Sequence, residues 1–293
     1  MKNQSFDHAG SILVFMIVVV ALVSSLALLS GSFVVSRSRL TADARVRAEL
    51  RNAACSGAAM AAWMIVSDTN GVDHLQEPWA TDMMEDEAQV VVSDERARLP
   101  FPGSEPAALS ALIVSVTGVE LQTAADQAVR LHTWWDRARA ASTNRVLAAE
   151  EELLFAPGSD PELLAAVLPH LRVLGGDVVN VNTVGGEVWT AMAIGTGVDI
   201  DTAEGLYMRL LQSRRRGEWF ETLDPGEVLQ RLTGNRQGLS AAELVALQRV
   251  APRLCVESGV FRITATAERD GVRRAVQCIV ERETGEIRRW LEF

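Results

Sequence analysis

Ile12 to Leu29 reads ILVFMIVVVALVSSLALL, and no charged residue stands between Ser11 and Ser36. A bilayer core of about 30 Å is crossed by roughly 20 apolar residues in a helix, so this run is long enough to span it. A buried core helix would keep a polar stripe. A cleaved secretory signal would have an apolar region of about 7–15 residues; the run here is longer, although Ser30-Gly31-Ser32 is a passable cleavage site. The stretch predicts a membrane-spanning helix over residues 11–36, behind a short polar leader, residues 1–10, MKNQSFDHAG, that ends in Gly10. Helical periodicity then continues. Val46, Leu50, Ala53, Gly57, Met60 and Met64 step by fours and threes along one apolar seam, crowded by small residues between Ala53 and Ala62. One helix from Ser11 to about Val66 would be ~80 Å long, half of it in lipid and half packed against a domain or against neighbouring copies.

The rest of the chain is of a different kind. The whole chain of 293 residues is 48% hydrophobic and carries a net charge of −10, a balance that excludes wholesale disorder. It also argues against a dedicated nucleic-acid binder, which needs a basic face. The length suggests one or two domains with ample core. Ser67-Asp68-Thr69-Asn70-Gly71 stops the long helix, and Gln89–Ser93 reads as a strand that Pro100-Phe101-Pro102-Gly103 closes. Ala107–Thr117 and Ala124–Ala140 read as helices, and Asp160 caps another that opens at Pro161 and runs over Glu162–Leu168. Asp177–Thr183 reads as a strand leading to a helix that carries Val188, Trp189 and Met192, with Asn182 or Thr183 as its cap. Helices follow at Thr202–Arg214, Pro225–Thr233 and Ser240–Val250, the last behind a Ser240/Glu243 capping box. Phe261, Ile263, Ala265 and Ala267 alternate with Arg262, Thr264, Thr266 and Glu268. A turn at Asp270-Gly271 then leads to Val272–Glu281, and Gly285 turns into Ile287–Leu291. The class is α+β. Residues 37–99 hold the helix extension and first strand, 100–255 a mainly helical insertion, and 256–293 the closing antiparallel strands.

Catalytic signatures do not emerge. The sequence has no GxSxG elbow, HExxH helix or Walker loop. His8, His74, His132 and His170 share no spacing with cysteine or carboxylate, and read as ordinary histidines. Gly195-Thr196-Gly197-Val198-Asp199 lacks the third glycine and the preceding strand of a dinucleotide loop, and reads as a link between helices. Asp199-Ile200-Asp201 begins like a calcium loop, but Ala203 and Leu210 stand where ligands belong. Asp82, Glu85, Asp86 and Glu87 could hold calcium, although a solvated acidic loop is the preferred reading. Three cysteines without a CxxC make neither a disulfide framework nor a zinc ribbon. Cys255 and Cys278 could pair in an oxidising compartment, yet folding the last hairpin sets Cys278 opposite roughly Ile263. Cys55 reads as a small apolar residue of the long helix. The expectation is a protein without enzymatic activity, catalytic metal or cofactor.

A leader ending in Gly10, an apolar helix beginning at Ser11 and an amphipathic extension resemble the class III signal of type IV pilins and pseudopilins. The resemblance implies cleavage between Gly10 and Ser11 by a prepilin peptidase. Most of that family carry Glu at the fifth mature position; Phe15 stands there in this chain, and in this it resembles the K-type minor pseudopilin of type II secretion. Pro78-Trp79-Ala80 and Val92-Ser93-Asp94-Glu95-Arg96 resemble two segments of that family. Ala128–Asp136 stands where the family has an acidic DW segment. Asn180-Val181-Asn182-Thr183 with Glu187-Val188 resembles its NVNTA…EVL segment, Phe220 with Asp224 and Leu229 the segment after that, and Gly259-Val260-Phe261-Arg262-Ile263 its final sheet. Two departures stand out: Pro100 and Phe101 replace a polar Asn, and the acidic run beside Trp135 is thinned to Asp136.

The resemblance implies a small pilin-like domain interrupted by a large helical one of helix-hairpin-helix or SAM-like type. Trp79, Asp94, Glu95, Asn180, Asn182 and Thr183 would be structural motif residues. Phe15 and the seam from Val46 to Met64 would form the assembly helix. Such a subunit sits at the tip of a periplasmic pseudopilus, anchored once in the inner membrane. Its partners are the I- and J-type minor pseudopilins, the inner-membrane assembly platform and the prepilin peptidase. DNA contact is not expected, because the L-x-G-[IV]-G hairpin is missing and the chain is acidic. One feature opposes this topology. Lys2 alone precedes the span while Arg37, Arg39, Arg45, Arg47 and Arg51 follow it, and a positive-inside count would leave the large domain in the cytoplasm. Two other readings stay open: a signal-anchored periplasmic receptor-like domain unrelated to pili, and a minor pilin of a type IV pilus or DNA-uptake system.

Overall fold

A computed structural model describes residues 8–85, 87–141, 147–224, 227–228, 231–232 and 238–293. Helix α1 (His8–Ser67) runs for 60 residues without a break, roughly 90 Å. From Leu13 to Leu40 its large apolar side chains are exposed. Contact with the rest of the chain begins at the half-buried Val46 and is complete along Leu50, Ala54, Ala58, Ala61 and Ile65, all fully buried. The expected seam is therefore corrected. Leu50 and Gly57 lie on the buried line, whereas Ala53, Met60 and Met64 flank it half-buried. A 4-3-4-3 pattern averages 3.5 residues per turn, and a straight helix of 3.6 drifts away from it by ~20° per heptad.

Nine strands follow in chain order: β1 (Met83–Glu85), β2 (Ala88–Asp94), β3 (Leu99–Pro100), β4 (Leu171–Arg172), β5 (Val179–Asn180), β6 (Leu254–Cys255), β7 (Val260–Arg269), β8 (Val272–Glu281) and β9 (Ile287–Glu292). Five of them form an antiparallel sheet in the order β1-β2-β7-β8-β9. Asp270 and Gly271, at φ 52° and 78°, turn the β7–β8 hairpin as a two-residue type I′ link requires. That register sets Cys278 opposite Ile263, and all three cysteines are free. One face of the sheet packs Val90, Ile263, Ala265, Ala267 and Val276 against α1. Gly57 marks the closest approach: a Cβ there would stand 2.7 Å from Val90 Cγ2 and 3.3 Å from Ala88 Cβ. The small residues of α1 are thus the condition for helix and sheet to touch.

The described residues between β2 and β7 build a second core. It contains α2 (Pro106–Thr117), α3 (Leu121–Ala141), α4 (Pro161–Val167), α5 (Gly186–Gly195), α6 (Ile200–Arg215) and a last helix, Ala241–Val250. α2 lies at its centre against α3 and α5, with Leu109, Leu112, Ile113, Leu131, Trp189 and Leu210 buried. Asp160 caps α4 through the amides of Glu162 and Leu163, and Asp199 caps α6 through Thr202. Ser240 and Glu243 form the reciprocal box. The expected cap of α5 is corrected: Gly185 occupies that position, because Asn182 and Thr183 are engaged elsewhere. The strand expected over Asp177–Thr183 is shorter, only Val179–Asn180. Met83–Glu85, at the head of the acidic stretch, adds the short edge strand β1. The helix expected over Pro225–Thr233 falls mostly outside the described residues.

Candidate assembly site

The first half of α1 is bare. Phe15 is 66% exposed, and Leu22, Leu26 and Leu29 are similarly open. Each such side chain gains roughly 1.5–3 kcal/mol when covered, and by length and composition the segment is a candidate membrane span. The Gly10–Ser11 bond lies in the first turn of α1. Further along, Leu50 and Gly57 of the seam face the chain's own sheet. The opposite face carries Asn52, Ser56, Ala59 and the 71% exposed Trp63.

The motif residues within the fold are all buried, and most gather where the helical insertion meets the sheet. Asp94 ends β2. Its carboxylate accepts from the Arg96 amide at 2.6 Å, from Thr183 Oγ1 at 2.5 Å, from Asn180 Nδ2 at 3.0 Å and from Ser258 Oγ. Burial pushes the Asp94 carboxyl above the usual carboxylate range, and those donors pull it back. Asn180 also donates to the Asp73 carbonyl at 3.2 Å and accepts from the Asn182 amide at 2.9 Å. The Asn182 side chain pairs with both backbone groups of Phe220, each at 2.9 Å. An Asn-x-Asn-Thr order places three polar side chains on three different segments, a reason for this spacing that α5 capping does not supply. Trp79 stands apart, with Nε1 on Glu77 at 2.8 Å and its ring edge-on to Phe261 at 5.0 Å.

A chain of charges runs beside this cluster. Arg262 bridges Glu95 at 2.6 Å and Glu150 at 2.8 Å, and Arg289 adds a contact to Glu150 at 3.1 Å. Glu95 and Arg262 come from the sheet region and Glu150 from the insertion, so the guanidinium ties the two cores together. Strict strand alternation placed Arg262 on an open face. It is buried, because the segment carrying Glu150 covers that face. Arg172 and Arg214 fasten loops in another way. Arg172 donates to the carbonyls of Arg98, Leu174 and Val178, and Arg214 to those of Val184 and Val181. Burial pushes each down to about 10. Asp73, Glu150, Ser258 and the buried arginines were not singled out from the sequence. Their one visible trace is arginine inside apolar runs, as in Val260–Ile263.

Among the described residues, Asp68, Asp73 and Glu77 bring carboxylate oxygens within 4.8 Å of one another. The Arg282 guanidinium already sits on Asp68 and Asp73, and Glu77 accepts from Asn70, His74 and Trp79. The cluster therefore fastens the end of α1 to the β8–β9 turn. In the acidic stretch considered for calcium, Glu87 pairs with Arg269 at 2.5 Å and Asp82 accepts from Gln89 at 3.5 Å; Asp86 lies outside the described residues. His74 stacks on Trp219 at 4.7 Å and His132 packs on Phe101 at 5.0 Å. An apolar groove of about 1060 Å³ lies between α2, α3, α5 and α6, with Val114, Leu121, Val129, Ile194 and Met208 in its walls.

No family model and no curated protein matches this sequence. Among solved structures the chain is similar to one in the GspK–GspI–GspJ complex of the enterotoxigenic Escherichia coli type 2 secretion system. The TM-score is 0.56 over 88% of this chain and 97% of that one, at 16% sequence identity. At that identity the likeness is one of fold.

Proposed function

We propose that this chain is a K-type minor pseudopilin, an assembly subunit of a type II secretion pseudopilus rather than an enzyme. The observation that carries the reading is the order of the fold. A continuous helix, bare in its apolar half and seated on an antiparallel sheet in its second, belongs to a domain split between β2 and β7 by a helical unit. That likeness extends over nearly the whole of a chain solved with GspI and GspJ, which makes I- and J-type minor pseudopilins the expected partners. The motif residues meeting at the junction add support of a second kind, since they hold the inserted unit to the sheet.

In this reading a prepilin peptidase cuts between Gly10 and Ser11 on the cytoplasmic face. The bare half of α1 then packs against other pseudopilin helices in the inner membrane, and the two cores stand in the periplasm. The helical unit crowns the assembly and blocks addition of a subunit above it. Phe15 fits a tip position, where the carboxylate that usually engages a preceding subunit has nothing to engage. Sequencing the N-terminus of the protein from cells with and without the peptidase tests the reading. The expected result is Ser11 at the N-terminus, dependent on the peptidase. Cleavage near Ser32, or none, would favour a signal-anchored domain unrelated to pili. Co-purification with I- and J-type subunits separates a secretion role from a pilus or DNA-uptake role.

A further inference from the structure

The fold leaves some of the arginines behind the span without work. Between Ser36 and Asn52 the sequence sets five arginines among two acidic residues, Asp43 and Glu49. Arg51 is held by Glu292 at 2.6 and 2.8 Å, and Arg45 by Glu49 at 2.8 Å. Arg37, Arg39 and Arg47 are exposed, and among the described residues no carboxylate pairs with them. At 3.6 residues per turn the three point within an arc of roughly 160°, on one half of the helix.

Their height along the helix identifies what they meet. Arg37 and Arg39 lie ~3 and ~6 Å beyond Val35, the last apolar residue of the run. The head-group layer on each side of the hydrocarbon is about 5–8 Å thick, so both guanidiniums fall within it. Arg47, ~18 Å beyond Val35, stands roughly a Debye length above that layer. Guanidinium matches a phosphate with two parallel hydrogen bonds and is less strongly hydrated than ammonium. We infer that Arg37 and Arg39, backed by Arg47, bind the phosphates of anionic phospholipids and gather such lipids around α1 where it leaves the hydrocarbon. The inference rests on the reading of residues 11–36 as a membrane span.

The test uses the full chain reconstituted into vesicles of equal phosphatidylcholine and phosphatidylglycerol. It is then released in detergent, and the lipids it retains are counted by native mass spectrometry. Wild type should retain phosphatidylglycerol over phosphatidylcholine by roughly fivefold or more, and 1 M salt should reduce the preference. Arg37→Gln/Arg39→Gln/Arg47→Gln should bring it to parity; glutamine keeps helix propensity and none of these side chains packs. Arg51→Gln changes the same charge at the residue held by Glu292 and should leave the preference in place. Parity in wild type, or an unchanged preference in the triple variant, overturns the inference. So does a triple variant that keeps its lipid but loses other pseudopilin subunits, because the three arginines would then meet acidic protein. Failure of wild type to enter pure phosphatidylcholine vesicles would overturn the span itself, a separate result.

Discussion

Asp73 shows how one buried carboxyl sets the response of the junction to pH. Its side chain is fully buried, accepts from the Ser258 amide at 2.5 Å and meets the Arg282 guanidinium. Burial nevertheless dominates and pushes it from 3.8 up to about 6. Between those values the folded chain holds a proton that the unfolded chain has lost, so raising the pH through this window removes stability. The contribution is fully present below about pH 4 and gone above about pH 6, a change on the order of 3 kcal/mol for a shift of this size. Paired surface carboxylates such as Glu281 and Glu292, held low by Arg288 and Arg51, act in the opposite sense. The clean observable is therefore a difference. Urea midpoints of wild type and Asp73→Asn, taken from pH 4 to 7.5, should show the wild-type advantage falling as the pH rises and then levelling. An advantage that grew with pH would mean that Arg282 outweighs burial.

At the scale of elements, the contact between α1 and the sheet depends on Gly57. An added methyl group would press on Val90 Cγ2 at 2.7 Å. Val90 is fully buried in β2, so its χ1 has little freedom to yield. Alanine raises helix propensity by about 1 kcal/mol over glycine, but overpacking of this kind costs about 1–3 kcal/mol. Gly57→Ala is expected to lower stability by about 1 kcal/mol. Val90→Ala alone opens a cavity and destabilises as well. Together the two should cost less than their sum, with a coupling of at least ~1 kcal/mol in a double-mutant cycle from denaturant unfolding. Additivity would show that the helix and sheet separate instead of clashing. The small residues of this stretch were visible in the sequence, and so was close packing on α1. The face was placed less well, because the spacing of Val46, Ala53, Met60 and Met64 averages 3.5 residues per turn while an α-helix turns every 3.6. Strand alternation in Phe261–Ala267 and the Asp270-Gly271 turn were legible because each depends on local rules. The burial of Arg262 depends on Glu150, more than a hundred residues away, and no local pattern carries that.

Over the whole molecule, α1 divides into a length that only surroundings can cover and a length that the chain covers itself. The boundary falls between Leu40, still 69% exposed, and Leu50, fully buried. Both cores lie beyond it, and so do the links that join them: Arg262 with Glu95 and Glu150, and Asp94 with Thr183 and Ser258. The arginines nearest the boundary that carry structural contacts, Arg51 to Glu292 and Arg45 to Glu49, also lie beyond residue 40. Nothing that stabilises the head therefore depends on the apolar run. A chain beginning at Ser38 is expected to remain monomeric without detergent and to melt within a few degrees of the full chain in micelles, checked by light scattering and thermal unfolding. It keeps the first turns that lead to Leu50, where helix fraying would otherwise reach the core. Removing nearly five further turns, to begin at Cys55, takes away Leu50 and Ala54 from under the sheet. Loss of a buried Leu alone costs about 2–5 kcal/mol, so this shorter chain should unfold at a clearly lower temperature. If the two truncations melted alike, the second half of α1 would be an attachment to the sheet and not part of its core.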